Sequence, residues 1–294
     1  EIEYFFYISS SCSVELPKLT NVQYTYIENK NNDFGVVVDF SKDNRSLSFD
    51  AYIFINSSVR GPFMPSYCSS NWHEIFTSRL SNNIAMVGSS INLLPEGSLI
   101  SNYFKERFSF DPPYIHVQTT AYALSSAGYC LLLKEKFFDV NENLKKNDVI
   151  SRYEILLSQI LLNNNFSIAS ILPTHEEFSV SKRGVNFKGT TKNGDPLNLA
   201  AFYGRTISPL ESVFLKTNRN LVSEKELASY TFTSLVLKDL NSSLTKDGLN
   251  LFQKSLEKLH AKESFTITME QLKLVLNNVK NNDPELAKQL RALL

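Results

Sequence analysis

The stretch from Phe49 to Phe63, FDAYIFINSSVRGPF, limits what this chain can fold into more than any other. Ala51 to Ile55 is an unbroken apolar and aromatic run, suited to a strand buried on both faces, and it stops at Asn56, Ser57 and Ser58. In open α/β sheets ligands bind beyond the carboxyl ends of strands, so polar groups clustered at such an end mark a place for a polar ligand. Arg60 adds a guanidinium fork suited to phosphate or carboxylate, and Gly61-Pro62 turns the chain away. An ordinary strand and turn would account for the same residues.

With 294 residues, 43% of them hydrophobic, the chain can bury a full core, as one large domain or a domain with an appendage. Lys plus Arg and Asp plus Glu number 30 each, a formal net charge of zero, so a general polyanion binder is disfavoured and no nucleic-acid partner is expected. Cys12, Cys68 and Cys130 are widely spaced, in neither a zinc nor a disulfide pattern. A cytoplasmic, reducing setting is therefore the expectation. No apolar run approaches the roughly 20 residues of a membrane helix. The chain opens on Glu1 without a methionine, which leaves open membrane association through a segment outside it.

Glu3 to Ser9 and Val22 to Ile27 are predicted strands, with room for a short helix around Val14 to Leu19. A helix is expected from about Gly35, with Asp33 at its N-terminus as a cap. Trp72 to Leu80 has helical spacing, and Ala85 to Ile91 reads as a strand that again ends in small polar residues. Asn92 to Pro113 reads as a loop in its first half, suited to a flap, with Tyr103 to Phe110 partly helical. His116 and Gln118 share one face of an extended segment that continues as a small-residue helix to Leu133. A lone histidine is more often structural than catalytic. Val149 to Phe166 reads as an apolar helix carrying Glu154 at the edge of its face, where a carboxylate either pairs with a base or serves as one. Phe166 to Leu172 is a last strand, and His175 to Asp195 a charged, glycine-containing loop without a phosphate-loop or dinucleotide fingerprint. Lys216 and Arg219 would share a face if Ile207 to Arg219 were helical. From Ser223 the pattern is helical, over Leu249 to Leu259, Met269 to Val279 and Pro284 to Leu294, with no catalytic constellation. Residues 1–222 thus form the main domain and 223–294 a helical appendage, suited to domain contact or self-association.

The segments Asn31 to Gly35, Phe54 to Phe63, His116 to Gln118, Glu154 ahead of Asn165-Phe166, and Ser208 to Arg219 resemble, in the same order, a family of predicted sugar transferases. That family is related to the rhamnan-synthesis and polysaccharide glycosyltransferases of bacteria, algae and large viruses. Phe54 to Phe63 and Ser208 to Arg219 are the specific segments, and the resemblance runs from about residue 3 to 220. It implies a GT-A type fold, a mostly parallel sheet with helices on both faces, binding a nucleotide-sugar donor at the strand ends. Glu3 to Ser13 would be its second strand and Val22 to Ile27 its third, with the first strand missing from this chain. Such folds usually hold a divalent cation, manganese or magnesium, through Asp-x-Asp, but the corresponding place reads Asn56-Ser57-Ser58, which leaves metal dependence open. The family's histidine in the last segment is Ser208 here.

The activity so implied is a hexosyl- or deoxyhexosyltransferase, similar to rhamnosyltransferases, that moves a sugar from a nucleotide-diphosphate donor to a hydroxyl of a glycan or glycoconjugate acceptor. Glu154 would be the single base of an inverting transfer. Arg60, Lys216 and Arg219 would take the diphosphate, and Asp33, Asn56 and Ser57 the donor's hydroxyls. His116 and Gln118 would line the sugar or acceptor side. A non-catalytic glycan- or nucleotide-sugar-binding module is the alternative. A nucleotidyl or phosphosugar transferase is disfavoured by the few paired carboxylates.

Overall fold

The computed structural model describes residues 2–9, 11–12, 15–65, 67–172, 195–219, 221–236 and 269–282, and beyond these 284, 285 and 288. The elements begin with strands β1 (Tyr4–Ile8) and β2 (Val22–Tyr26), helix α1 (Asn32–Ser41), strands β3 (Ala51–Ile55) and β4 (Val59–Arg60), and α2 (Trp72–Thr77). Next come β5 (Ile84–Gly88), β6 (Ile91–Leu93), α3 (Leu99–Phe108), β7 (Ile115–Val117), β8 (Ala121–Ser125), α4 (Ser126–Lys134) and α5 (Lys146–Val149). They end with a π-helical turn (Ile150–Leu156), α6 (Leu157–Asn163), β9 (Ser167–Ser170), α7 (Pro209–Ser212), β10 (Leu215–Lys216), a 3-10 turn (Thr217–Arg219), α8 (Glu224–Val236) and α9 (Met269–Asn282).

The architecture is α/β around a four-stranded sheet in the order β3-β8-β5-β9. β8 runs antiparallel to both β3 and β5, and β9 parallel to β5, so β3, β5 and β9 share one direction and β8 opposes them. The expectation of a mostly parallel sheet thus meets a mixed one. β8 also replaces part of the helix expected after Gln118. The reason is its period: Tyr122 and Leu124 alternate with Ala121 and Ala123, a strand pattern, and the helix starts only where the Ser125 hydroxyl caps it by accepting from Gly128 N at 3.1 Å.

That alternation separates two apolar layers. Tyr52, Met86, Tyr122, Leu124 and Ile168 face a cluster that includes Phe34 and Val37 of α1, Tyr129 of α4 and Leu161 of α6. Val87, Ala121, Ala123 and Ala169 face Phe76 of α2 and Phe214 on the other side, where small strand residues leave room for the two rings. Helices therefore cover both faces. Each fully buried large side chain contributes on the order of 1.5–3 kcal/mol through removal from water. β1 and β2 form a separate parallel pair, joined to the first layer by edge-on contacts of Phe5 with Phe40 at 5.3 Å and Phe49 at 5.8 Å. The helix expected around Val14 to Leu19 is absent at 15–19, where Pro17 lacks the amide that a helix would use.

The two specific segments of the sequence meet each other. β4 pairs antiparallel with β10, Arg60 opposite Leu215 and Val59 opposite Lys216. Thr217 N and Oγ1 both donate to Ser58 O, at 3.0 and 3.1 Å, and Phe63 N donates to Val213 O at 2.7 Å. Gly61 is required there: a Cβ would lie 2.5 Å from Val213 O and 2.7 Å from Phe214 Cδ1. This pairing corrects the helical placement of Lys216 and Arg219, which lie on β10 and on the 3-10 turn. A strand bond, unlike a helical one, can join stretches so far apart in sequence.

The stretch from Asn92 is also more ordered than a flap. Asn92 and Leu93 belong to β6, and α3 is tied down at Asp148, which accepts from Tyr103 Oη at 2.7 Å and pairs with Arg107 Nε at 2.8 Å. Of the helical tail, α8 packs Leu227 and Tyr230 on Phe63 and Leu215, with Ser234 Oγ accepting from Met64 N at 3.1 Å. α9 bonds through Asn278 Nδ2 to Leu199 O at 2.9 Å. The predicted loop at 175–194, the helix at 249–259 and nearly all of 286–294 lie outside the described residues. No helix among the described residues is long and apolar enough to cross a membrane.

α1 starts where the Lys30 carbonyl presses on its first turn. A Cβ at Gly35 would lie 1.9 Å from that oxygen. Gly35→Ala should therefore cost about 1–3 kcal/mol in urea unfolding, and an unchanged midpoint would show that the chain before α1 yields freely.

Candidate functional site

Because β3, β5 and β9 run the same way, their carboxyl ends share one edge of the sheet. Asn56-Ser57-Ser58 follows β3, Ser89-Ser90 follows β5, Ser170 ends β9, and Thr119-Thr120 leads into β8 at the same edge. The ends are stitched together: Asn56 N donates to Thr120 O at 2.9 Å, Ser89 N to Ala121 O at 3.3 Å, and Ser170 Oγ to Ser89 O at 2.8 Å. The polar strand end read from the sequence is thus one part of a polar rim.

α1 brings Asp33 to that rim. Its cap is Asn31, held at φ 56°, and not Asp33, which lies in the first turn. The Asn31 side chain is engaged elsewhere, donating to Glu142 O at 2.9 Å and accepting from Leu144 N at 2.7 Å, so it fixes the loop ahead of α5. Asp33 accepts from Asn56 Nδ2 and, at 3.4 Å, from Ser57 Oγ. Asn56 Oδ1 in turn accepts from Ser58 N at 2.7 Å and Ser58 Oγ at 2.6 Å. The helix start favours this carboxylate electrostatically.

The β4–β10 pairing brings the cations. Lys216 is half-buried and has no ion-pair or hydrogen-bond partner among the described residues. Arg219 is committed: its NH1 pairs with Asp195 and donates to Leu197 O at 3.2 Å and Asn198 Oδ1 at 3.3 Å. Asp195 is pinned in turn by Leu197 N at 2.9 Å. Arg60 is exposed on β4, opposite Leu215.

Glu154 sits on the π-helical turn, where i→i+5 bonding widens the helix by one residue. Such turns occur often at functional sites. The predicted regular helix is therefore interrupted at this residue. Burial raises the Glu154 carboxyl, Lys216 and Arg219 lower it, and Asp195 and Asp33 raise it further. Those five side chains thus share one electrostatic neighbourhood. Beneath them Tyr122 and Tyr153 bring their hydroxyls to 3.1 Å, and Phe34 stacks on Tyr153 at 5.1 Å.

His116 is 3% exposed, with Nδ1 3.5 Å from Tyr114 O. Burial pushes it from its ordinary 6.5 down to about 4, against smaller upward pulls from the Tyr114 carbonyl and Asp195, so the ring is neutral at pH 7. Gln118 is also buried, and its backbone N–H donates to Ser90 O at 3.0 Å.

The structure brings together Asp33, Asn56, Ser57, Glu154, Lys216 and Arg219, sets His116 and Gln118 in the polar rim, and places Arg60 on β4, exposed and opposite Leu215. Asp195 is the residue that sequence reading missed. It lies in Gly194-Asp195-Pro196, a turn signal with nothing to mark a charge partner. Among the described residues no three His, Cys, Asp or Glu side chains converge to hold a metal ion. Comparison with protein-family models, curated proteins and solved structures finds no match to this chain.

The buried imidazole predicts a pH dependence. The unfolded chain binds a proton that native His116 refuses, so its contribution to stability falls as pH drops from 6.5 toward about 4 and is level below. His116→Gln should remove a slope on the order of 2–3 kcal/mol over that window in urea titrations. Parallel wild-type and variant curves would mean that the ring protonates freely in the native state.

Proposed function

We propose that this chain is a glycosyltransferase on a GT-A type fold, moving a sugar with inversion from a nucleotide-diphosphate donor to a hydroxyl of a glycan acceptor. The observation that carries this reading is Glu154, a desolvated carboxylate on a π-helical turn, within electrostatic reach of Lys216, whose side chain has no ion-pair or hydrogen-bond partner among the described residues. A carboxyl held above its ordinary range is a better base near neutral pH than an exposed one, and a half-buried ammonium is a ready counter-charge for a leaving diphosphate.

In this mechanism Glu154 takes the proton of the acceptor hydroxyl as its oxygen attacks the anomeric carbon from the face opposite the diphosphate. The bond from the anomeric carbon to the diphosphate oxygen breaks, and the charge that leaves is met by Lys216 and Arg219. Asp33, Asn56 and Ser57 take hydroxyls of the donor. Arg60, exposed on β4, adds positive charge for the diphosphate. No step is routed through a metal ion. The segments Phe54 to Phe63 and Ser208 to Arg219, whose pairing builds this edge, are also the ones that resemble the sugar-transferase family.

The test combines binding with turnover. A panel of nucleoside diphosphates and nucleotide sugars, each with and without manganese, should give a selective thermal shift for one donor, because a ligand of the native state raises its stability by mass action. Glu154→Gln should lower transfer by about 10²–10⁴-fold while leaving that shift in place, since only the proton acceptor is lost. Wild-type activity should fall in acid with a midpoint above the ordinary glutamate range, and Lys216→Ala should weaken the diphosphate shift. Transfer that survives in Glu154→Gln removes the base. A donor that binds without turnover in wild type favours a non-catalytic sugar-nucleotide-binding module.

A further inference from the structure

Four aromatic rings form a continuous column beneath the candidate site. Phe54 of β3 stacks on Tyr122 of β8 at 5.3 Å, Tyr122 meets Tyr153 of the π-helical turn edge-on at 6.2 Å, and Tyr153 stacks on Phe34 of α1 at 5.1 Å. Three of these rings are close in sequence to a residue of the site: Phe34 follows Asp33, Tyr153 precedes Glu154, and Phe54 lies two positions before Asn56. The neighbours that carry Asp33 and Glu154 are therefore in direct contact with each other.

Only Tyr122 and Tyr153 bring a polar side-chain atom into the column, and their hydroxyls meet at 3.1 Å, in residues 0% and 5% exposed. Neither hydroxyl has a second hydrogen-bond partner among the described residues. Such a pair adds little to stability, since two phenylalanines of the same shape would pack there with no polar atom to satisfy. Its effect is on geometry. Stacked rings can slide over each other, whereas an O–H···O bond is directional. Tyr122 is a fixed end for that bond, because it lies on the inner strand, opposite Phe54 of β3 and Gly88 of β5. The other end is the middle of a π-helical turn, a rare arrangement that competes with the ordinary α-helical ladder. A slip of one residue between the two would swing Glu154 by about 100° around the helix axis.

We propose that Tyr153 is a positioning residue: through its hydroxyl bond to Tyr122 it locks the π-helical turn in register and so holds the Glu154 carboxylate among Asp33, Lys216 and Arg219. The proposal rests on the transferase reading only for its consequence in turnover, because the placement of Glu154 can be read without any substrate. The charged groups that act on Glu154 are Lys216, Asp195, Arg219 and Asp33, and those that act on Tyr153 are Asp33 and Glu154. A displaced turn therefore changes the surroundings of the carboxylate as well as its reach.

The deciding variant combines Tyr122→Phe with Tyr153→Phe, which removes both hydroxyls and keeps both rings. Its melting temperature should equal that of wild type or exceed it, because no buried hydroxyl is left unpaired. Transfer should nevertheless lose roughly 10–100-fold in kcat while the thermal shift given by the donor stays in place. Glu154 itself is read by infrared difference titration, its carboxyl band identified by its absence from Glu154→Gln. In the double variant the midpoint of that band should fall toward the ordinary glutamate range. A double variant with the kcat of wild type, or with an unmoved midpoint, would assign the tyrosine pair to packing alone and overturn the proposal. If wild type transfers no sugar to any acceptor, the transferase reading fails and the infrared midpoint alone decides the role of Tyr153. Should the double variant not fold, Tyr122→Phe, which leaves Tyr153 untouched but without its partner, is read by the same two measurements.

Discussion

The short antiparallel pairing of Val59–Arg60 with Leu215–Lys216 is the contact on which the candidate site depends. It joins stretches 159 residues apart where Thr217 bonds Ser58. Closing so long a loop is costly in entropy, though the cost grows slowly with length, and two strand residues alone would not meet it. The surroundings help: Phe214 packs with Trp72 at 5.3 Å, Gly61 lets Phe214 lie against the turn, and α8 covers Phe63 and Leu215. Apolar burial on either side thus holds a pairing only two residues long. Without it, Lys216 and Arg219 would have no fixed relation to Glu154 or Asp33.

Charge and neutrality are divided across this edge. On one side Glu154, Asp195, Asp33, Lys216 and Arg219 act on one another, and desolvation makes each effect larger than it would be at a surface. On the other, Ser90, Asn92, His116 and Gln118 are buried, polar and uncharged. The Asp195–Arg219 pair lies where the two regions meet, with side chains only 11% and 24% exposed. The π-helical turn adds a local means of presenting Glu154, since one extra residue per turn changes the direction of the side chain relative to the regular α6 that follows.

Much of the framework was legible in the chain. The run Ala51 to Ile55 became a strand covered on both faces, Asp33, Asn56 and Ser57 came together as hydrogen-bonded neighbours, and His116 and Gln118 did share a face. These follow from local patterns: strand periodicity, apolar continuity and polar residues at strand ends. Where reading failed, a local signal was weaker than a distant one. Ala121 to Ser125 has the small residues of a helix, but pairing with strands on both sides made it the inner antiparallel strand. Asp33 carried the usual residue type for a cap, yet Asn31 took that position because its side chain also had loop carbonyl and amide groups to bind.

What the sequence by itself determined is the set of strands and helices and the polar residues that end them, because these depend on neighbours a few positions away. What only the tertiary structure decided is which of those ends meet. The partner of Arg219 is Asp195, and the charges around Glu154 come from α1, β10, the 3-10 turn and Asp195. The physical reason is that electrostatic and hydrogen-bonding relations depend on distance and burial in space. Neither quantity is written in residue order.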